Sequence, residues 1–195
     1  MLPRREFEKG RALLPDERLI AESRASIYGA MNDGIAASTG RYLYFVGKDD
    51  IVLPPFCEAL ALIESRHPSA LFFDVFWGTR GVYRGRPSRW GVLVRNLCHQ
   101  GIIYSREVVL RHGPYLRKMR VQADHLLNIR LLWDRDFAPR VSYMCHPLAW
   151  YSGAGFSVQT ARDPVFWRLY PVIMRRHVGT WATCLLVTSR KLRGR

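Results

Sequence analysis

The run RYLYFVG at 41–47 alternates aromatic and branched residues and then stops abruptly at Lys48-Asp49-Asp50. That pattern predicts a β-strand, and the charged triplet ends it. In open α/β sheets ligands bind outside the carboxyl ends of strands, so two adjacent carboxylates at such an end could face one. Pro54-Pro55 follows and predicts the first turn of a helix reaching Ser65.

The flanking segments obey the same logic. SRASIYGAMNDGIAASTG (23–40) opens on a serine suited to capping and places Ile27, Met31, Ile35 and Ser38 at helical spacing. Thr39-Gly40 closes it. Residues 17–22 form a short apolar run compatible with a strand. Further strands are predicted at 69–76 (SALFFDVF), 101–105 and 139–153, with a hairpin or loop at 77–87 and a short helix near 88–96. Residues 121–135 read as an amphipathic helix, and 163–177 as a helix interrupted at Pro171. Strands alternating with helices make the class α/β: a mixed, mostly parallel sheet with some antiparallel return strands, flanked by helices.

Composition excludes several alternatives. The 195 residues suit one ordinary domain. No apolar run approaches the roughly 18–20 residues of a spanning helix, and the opening MLPRREFEKG lacks the apolar region of a signal peptide. A cytoplasmic setting is therefore the expectation. Cys57, Cys98, Cys145 and Cys184 are scattered, which fits free thiols better than zinc or disulfides. The net charge is +14, yet only Lys9, Lys48, Lys118 and Lys191 of the 30 basic residues are lysine. The arginines are spread along the chain without a nucleic-acid recognition motif, so a nucleic-acid partner is disfavoured. A polyanion or an anionic membrane face fits such a surface.

Three groups of residues could carry chemistry. Asp49 and Asp50 at the strand end could hold a hard divalent cation, which in turn holds a diphosphate. The same pair suits a solvated turn in which Asp50 caps the helix that follows. Asp124 stands near the start of the helix in 121–135, where it could serve as a general base or complement the helix dipole. His99 and Gln100 precede a strand beside Cys98 as a polar cluster at a sheet edge, and His146 lies in a later one. One His with one Cys is poor evidence for a metal site, and a satisfied loop histidine is the better reading of each. YSGAGFS (151–157) is a glycine-containing loop able to approach phosphates.

Taken together and in order, these segments resemble the family 2 glycosyltransferases of the GT-A fold. The run ESRASIYGAMNDGIAASTGRYLYFVGKDDIVLP matches that family at Ile27, Tyr28, Ala30, Met31, Asn32, Gly34, Ile35, Thr39, Gly40, Asp49 and Asp50. CHQGIIYSR, ADHLLNIRLL and LAWYSGAGFS look like its acceptor-side segment, its catalytic-base helix and its late donor loop. The resemblance implies inverting transfer of a sugar from a nucleotide-sugar donor to a carbohydrate or lipid-linked acceptor, in cell-envelope polysaccharide or glycolipid synthesis. It implies Asp124 as the base and Asp49 and Asp50 as ligands of Mn²⁺ or Mg²⁺. It further implies donor contacts from Asn32, Tyr151, Gly153, Gly155 and Ser157, and acceptor contacts from His99 and Gln100.

Departures from the family accompany the match. Residues 1–16 carry nothing like the family's opening Asp-Asp-Gly-Ser motif, and Arg24 and Gly29 stand where relatives often carry Asp. The expectation is a GT-A-like domain over 1–162 that lacks its N-terminal nucleotide-binding segment, followed by a basic, aromatic helical segment over 163–195. Trp167, Tyr170 and Trp181 among Arg168, Arg175 and Arg176 fit either peripheral docking on the inner face of an anionic membrane or packing on the domain. A second function follows from the departures: a catalytically inactive, glycosyltransferase-like scaffold at such a surface.

Overall fold

The computed structural model describes residues 16–21, 26–153 and 163–193. Six strands, β1 (Tyr42–Tyr44), β2 (Ile51–Val52), β3 (Ala70–Trp77), β4 (Val82–Tyr83), β5 (Ile102–Ser105) and β6 (Val141–Tyr151), form one sheet in the order β1-β5-β3-β6-β2, with β4 paired to β3. The helices are α1 (Ile27–Ala37), α2 (Pro55–Arg66), α3 (Gly91–Val94), α4 (Arg106–His112), α5 (Ala123–Trp133) and α6 (Pro164–Arg193).

Strand β3 is central because its sequence is apolar on both faces, and Ala70 through Val75 are all buried. Leu71 and Phe73 pack with Ala59 and Ile63 of α2 on one side. Ala70 and Phe72 join a larger cluster on the other side, with residues of α1, α4, α5 and α6. Helix α5 is buried nearly all round, from Ala123 to Leu132 except Arg130, as its place beneath α6 requires. Phe166, Tyr170 and Met174 of α6 lie in that same core, and the Tyr170 hydroxyl donates to the Leu93 carbonyl (2.6 Å).

The α/β class with helices on both faces agrees with the sequence reading, but the expected mostly parallel sheet does not. Among the described strands only β3 and β6 run parallel; the β1–β5, β3–β5, β3–β4 and β2–β6 pairs are antiparallel. Pairing direction is set by how distant segments cross over, which local periodicity does not encode. The 41–47 strand is confined to Tyr42–Tyr44, because β1 is an edge strand that pairs only with β5, and Phe45 turns to pack edge-on against Tyr115. Residues 17–21 have no regular structure. Helix α6 continues through the exposed Pro171 and breaks instead at Gly179, whose φ of 80° no helix accommodates. Helix α4 was not foreseen; Ser105 caps it by accepting from the Val108 N–H (3.3 Å). No helix among the described residues is long and apolar enough to cross a membrane.

Candidate active site

The parallel pair β3 and β6 ends at Trp77 and Tyr151, and both residues line a cleft of about 400 Å³. This is the carboxyl end of parallel strands, where α/β sheets receive their ligands. The opposite wall comes from Tyr28 of α1, the segment 96–100, and Asp124 in the first turn of α5. Arg80 and Arg120 add positive charge to the rim.

Asp124 is 6% exposed and is held at both oxygens. Its Oδ1 accepts from the Tyr28 hydroxyl and its Oδ2 from the Asn96 amide, each at 2.8 Å. His99 Nδ1 stands 3.9 Å from the same Oδ2. Asn96 Oδ1 in turn accepts from the Leu97 N–H (2.8 Å), so its amide can present only N–H groups to Asp124. Burial, followed by the charge of Asp124, pushes the Tyr28 hydroxyl well above its ordinary range, so it remains a donor. A carboxylate fixed by two donors at the wall of a cleft is positioned to receive a proton from a bound hydroxyl.

Gln100 links this wall to the acidic turn. Its Nε2 donates to Asp50 Oδ2 (3.1 Å), its Oε1 accepts from the Cys98 thiol (2.9 Å), and its backbone carbonyl accepts from the Tyr44 hydroxyl (2.8 Å). Burial pushes the Cys98 thiol up to about 12, which keeps it protonated as that bond requires. Asp50 Oδ2 also accepts from the Gly47 N–H (2.9 Å). A Cβ at Gly47 would sit 2.7 Å from that oxygen, so a side chain there would displace the Asp50 carboxylate.

Asp50 therefore does not cap the next helix: residues 51–52 form β2, and Pro54 occupies the cap of α2. Asp49 is exposed beside it. Among the described residues no three ligating side chains converge. The donor set nevertheless fits a cation shared with a diphosphate, because Asp50 Oδ1 is left outside these hydrogen bonds and magnesium-type ions usually bind through one or two carboxylates plus substrate phosphates.

The remaining expected residues divide. His99, Gln100 and Tyr151 line the cleft with Asp124. Asn32 does not: it is buried, and its amide clasps the Tyr115 backbone through Nδ2 to the carbonyl (2.8 Å) and through Oδ1 from the N–H (2.9 Å). Both ends of its amide are engaged by one residue, so it fixes α1 to the 115 segment in place of the donor contact expected of it. Gly153 adopts φ +72° against the Trp77 indole, where a Cβ would stand 2.8 Å from Nε1. Gly155 and Ser157, like Arg24, lie outside the described residues. His146 sits exposed where β6 bulges, 3.4 Å from Glu58. Tyr28, Asn96, Trp77 and Tyr83 were not anticipated as site residues; only Tyr28 carried a signal, through its place in the matched run.

The chain is 33% identical over 172 residues to the PGL/p-HBAD biosynthesis glycosyltransferase of Mycobacterium bovis (strain BCG / Pasteur 1173P2). The same identity relates it to the corresponding protein of Mycobacterium tuberculosis (strain ATCC 25618 / H37Rv). The chain is similar to glycosyltransferases. Each alignment takes in 82% of this chain and 64% of the relative, so the chain spans less than two thirds of the curated relatives it matches. No protein-family model matches. The fold is shared with S. aureus TarS 1-349, at a TM-score of 0.57 and 14% identity over 84% of this chain and 49% of that one. For the TarS complex with UDP-GlcNAc the TM-score is 0.60 at 15% identity, over 80% and 49%.

Proposed function

We propose that the chain is the catalytic part of an inverting, metal-dependent glycosyltransferase of family 2 and GT-A type. It moves a sugar from a nucleotide-sugar donor to a hydroxyl of a carbohydrate or lipid-linked acceptor in envelope glycolipid or polysaccharide synthesis, at the cytoplasmic side. The observation that carries this reading is Asp124, a buried carboxylate fixed by Tyr28 and Asn96 at the cleft wall. The names of the mycobacterial relatives support the envelope setting, and the UDP-GlcNAc and UDP complexes of TarS support a uridine nucleotide donor.

In the reaction, Asp124 takes the proton of the acceptor hydroxyl as its oxygen forms a bond to the anomeric carbon. The bond from that carbon to the diphosphate oxygen breaks on the opposite side, its electron pair leaves with the nucleoside diphosphate, and the configuration inverts. His99 and Gln100 orient the acceptor, while Tyr151 and the segment through Ser157 contact the donor. Arg80 and Arg120 offset negative charge at the cleft rim. Mn²⁺ or Mg²⁺, held by Asp50 with Asp49, would supply further neutralisation of the leaving diphosphate.

Calorimetric titration with UDP, with and without Mn²⁺, tests the donor half of this proposal. Binding that requires the metal and is lost in Asp50→Ala is expected. Failure of UDP, GDP and dTDP alike to bind a folded chain would reject it in favour of the scaffold reading.

A further inference from the structure

A second cleft, of about 520 Å³, lies between α4, the end of α5 and α6. Arg111 and His112 of α4, Arg130 of α5, and Arg176 and His177 of α6 all contribute to its walls. Asp134 is the one acidic residue among them, and it is already engaged. Its Oδ1 accepts from the N–H groups of Asp136 (2.8 Å) and Phe137 (3.3 Å). Its Oδ2 faces His112 Nε2 at 3.1 Å and Arg111 Nε at 3.6 Å. Arg111 reaches Asp136 as well, at 2.9 Å.

Arg130 and Arg176 are thus left with no carboxylate in ion-pair range among the described residues. Arg130 is partly buried and spends one donor on the His112 carbonyl (2.7 Å), which leaves the rest of its fork open to the cleft. Burial, and then the charge of Arg176, both weigh against its protonated form. His177 is held below its ordinary range by burial and by Arg176, Arg130, Arg89 and His112. Two guanidinium groups facing one half-buried space repel each other until an anion joins them, and the planar fork matches phosphate oxygens.

The lip of the cleft on α6 indicates what carries that anion. Val172, 68% exposed, lines it one helical turn from the exposed Arg168 and Arg175, and Trp133, Leu169 and Ile173 complete an apolar wall. Apolar and aromatic side chains beside exposed arginines suit a lipid–water interface rather than bulk solvent. We propose that this cleft binds the phosphate of an anionic lipid headgroup and seats the chain on a membrane surface. Arg130 lies six residues along α5 from Asp124, roughly 9 Å at the helical rise. Headgroup capture is therefore separate from the sugar-transfer cleft and is read without turnover.

The test is sedimentation of the full chain with phosphatidylcholine vesicles with and without phosphatidylglycerol, at physiological salt. Each basic residue near an anionic surface contributes roughly fivefold to binding. Arg130→Gln with Arg176→Gln is expected to weaken binding to the anionic vesicles roughly 25-fold. Arg41→Gln with Arg66→Gln removes the same charge outside the cleft and is expected to change it less than about twofold. Arg176→Gln alone, at an exposed position, is expected to cost about fivefold and keeps the test readable if the double variant does not fold. Equal weakening by the two pairs, or none, would overturn the proposal. So would cleft-dependent binding of inorganic phosphate, followed by tryptophan fluorescence, in a chain that ignores anionic vesicles.

Discussion

Gly101 closes the short turn His99–Gly101 that carries two cleft residues into β5, and it does so against β3. A Cβ built there would stand 2.7 Å from the Phe73 carbonyl oxygen and 2.8 Å from Val75 Cγ2. The first neighbour is backbone in the buried stretch of the central strand and has little freedom to yield. Restoring an ordinary contact of about 3.4 Å requires the turn to move outward by roughly 0.7 Å, and overpacking of this kind costs about 1–3 kcal/mol. The same displacement would stretch the 3.1 Å bond from Gln100 to Asp50 beyond hydrogen-bonding range. Gly101→Ala should therefore lower the urea midpoint with an unchanged slope, and weaken metal-dependent UDP binding. Gly34→Ala is the matched control. That glycine lies inside α1 with nothing within 4 Å of its added Cβ, so the substitution should stabilise by about 0.5–1 kcal/mol through helix propensity. If Gly101→Ala shifts the midpoint no more than the control does, the turn is not pinned against β3 and the reasoning fails.

Two further outcomes follow from buried groups. Cys98, pushed up to about 12, has roughly one thiolate in 10⁴ at pH 8, so iodoacetamide should label the exposed Cys57, Cys145 and Cys184 first and reach Cys98 last. Four equal labelling rates would contradict the Cys98–Gln100 bond. Burial alone would raise Asp74, but donation from the Tyr143 hydroxyl, the Gly85 N–H and Arg84 outweighs it and holds the carboxyl below its usual range. Its folded value lies below the unfolded value of about 3.9, so its stabilisation is full above that pH and disappears as pH falls through the folded value. Asp74→Asn should destabilise the chain at pH 7 by about 1–3 kcal/mol, with the gap from the parent closing in acid. A gap that stays constant in denaturation from pH 7 to pH 2 would refute this.

Local patterns were legible and long-range partnerships were not. The apolar run ALFFDVF announced β3 because burial on both faces leaves no polar alternation, and the helices around Met31, Ala59 and Leu127 declared themselves by spacing and caps. Asp50 and Asp124 stood out as carboxylates at element ends. Nothing in the sequence tied Tyr28 or Asn96 to Asp124, since those pairs form only when α1 and the 96–100 segment meet the first turn of α5. Asn32 illustrates the converse: it sits in a matched motif, yet packing gave its amide to the Tyr115 backbone.

The central claim is that Asp124 removes the proton of the acceptor, and one comparison tests it most directly. Nucleoside diphosphate release from UDP-, GDP- and dTDP-sugars would be followed with a mycobacterial envelope lipid extract as acceptor source, for the parent chain and for Asp124→Asn. Asparagine keeps the shape and the bond from Tyr28 but has no basic oxygen to take a proton. Acceptor-dependent release should fall by at least 10²-fold while UDP binding stays within about threefold of the parent. Undiminished release by a folded Asp124→Asn chain would contradict the account.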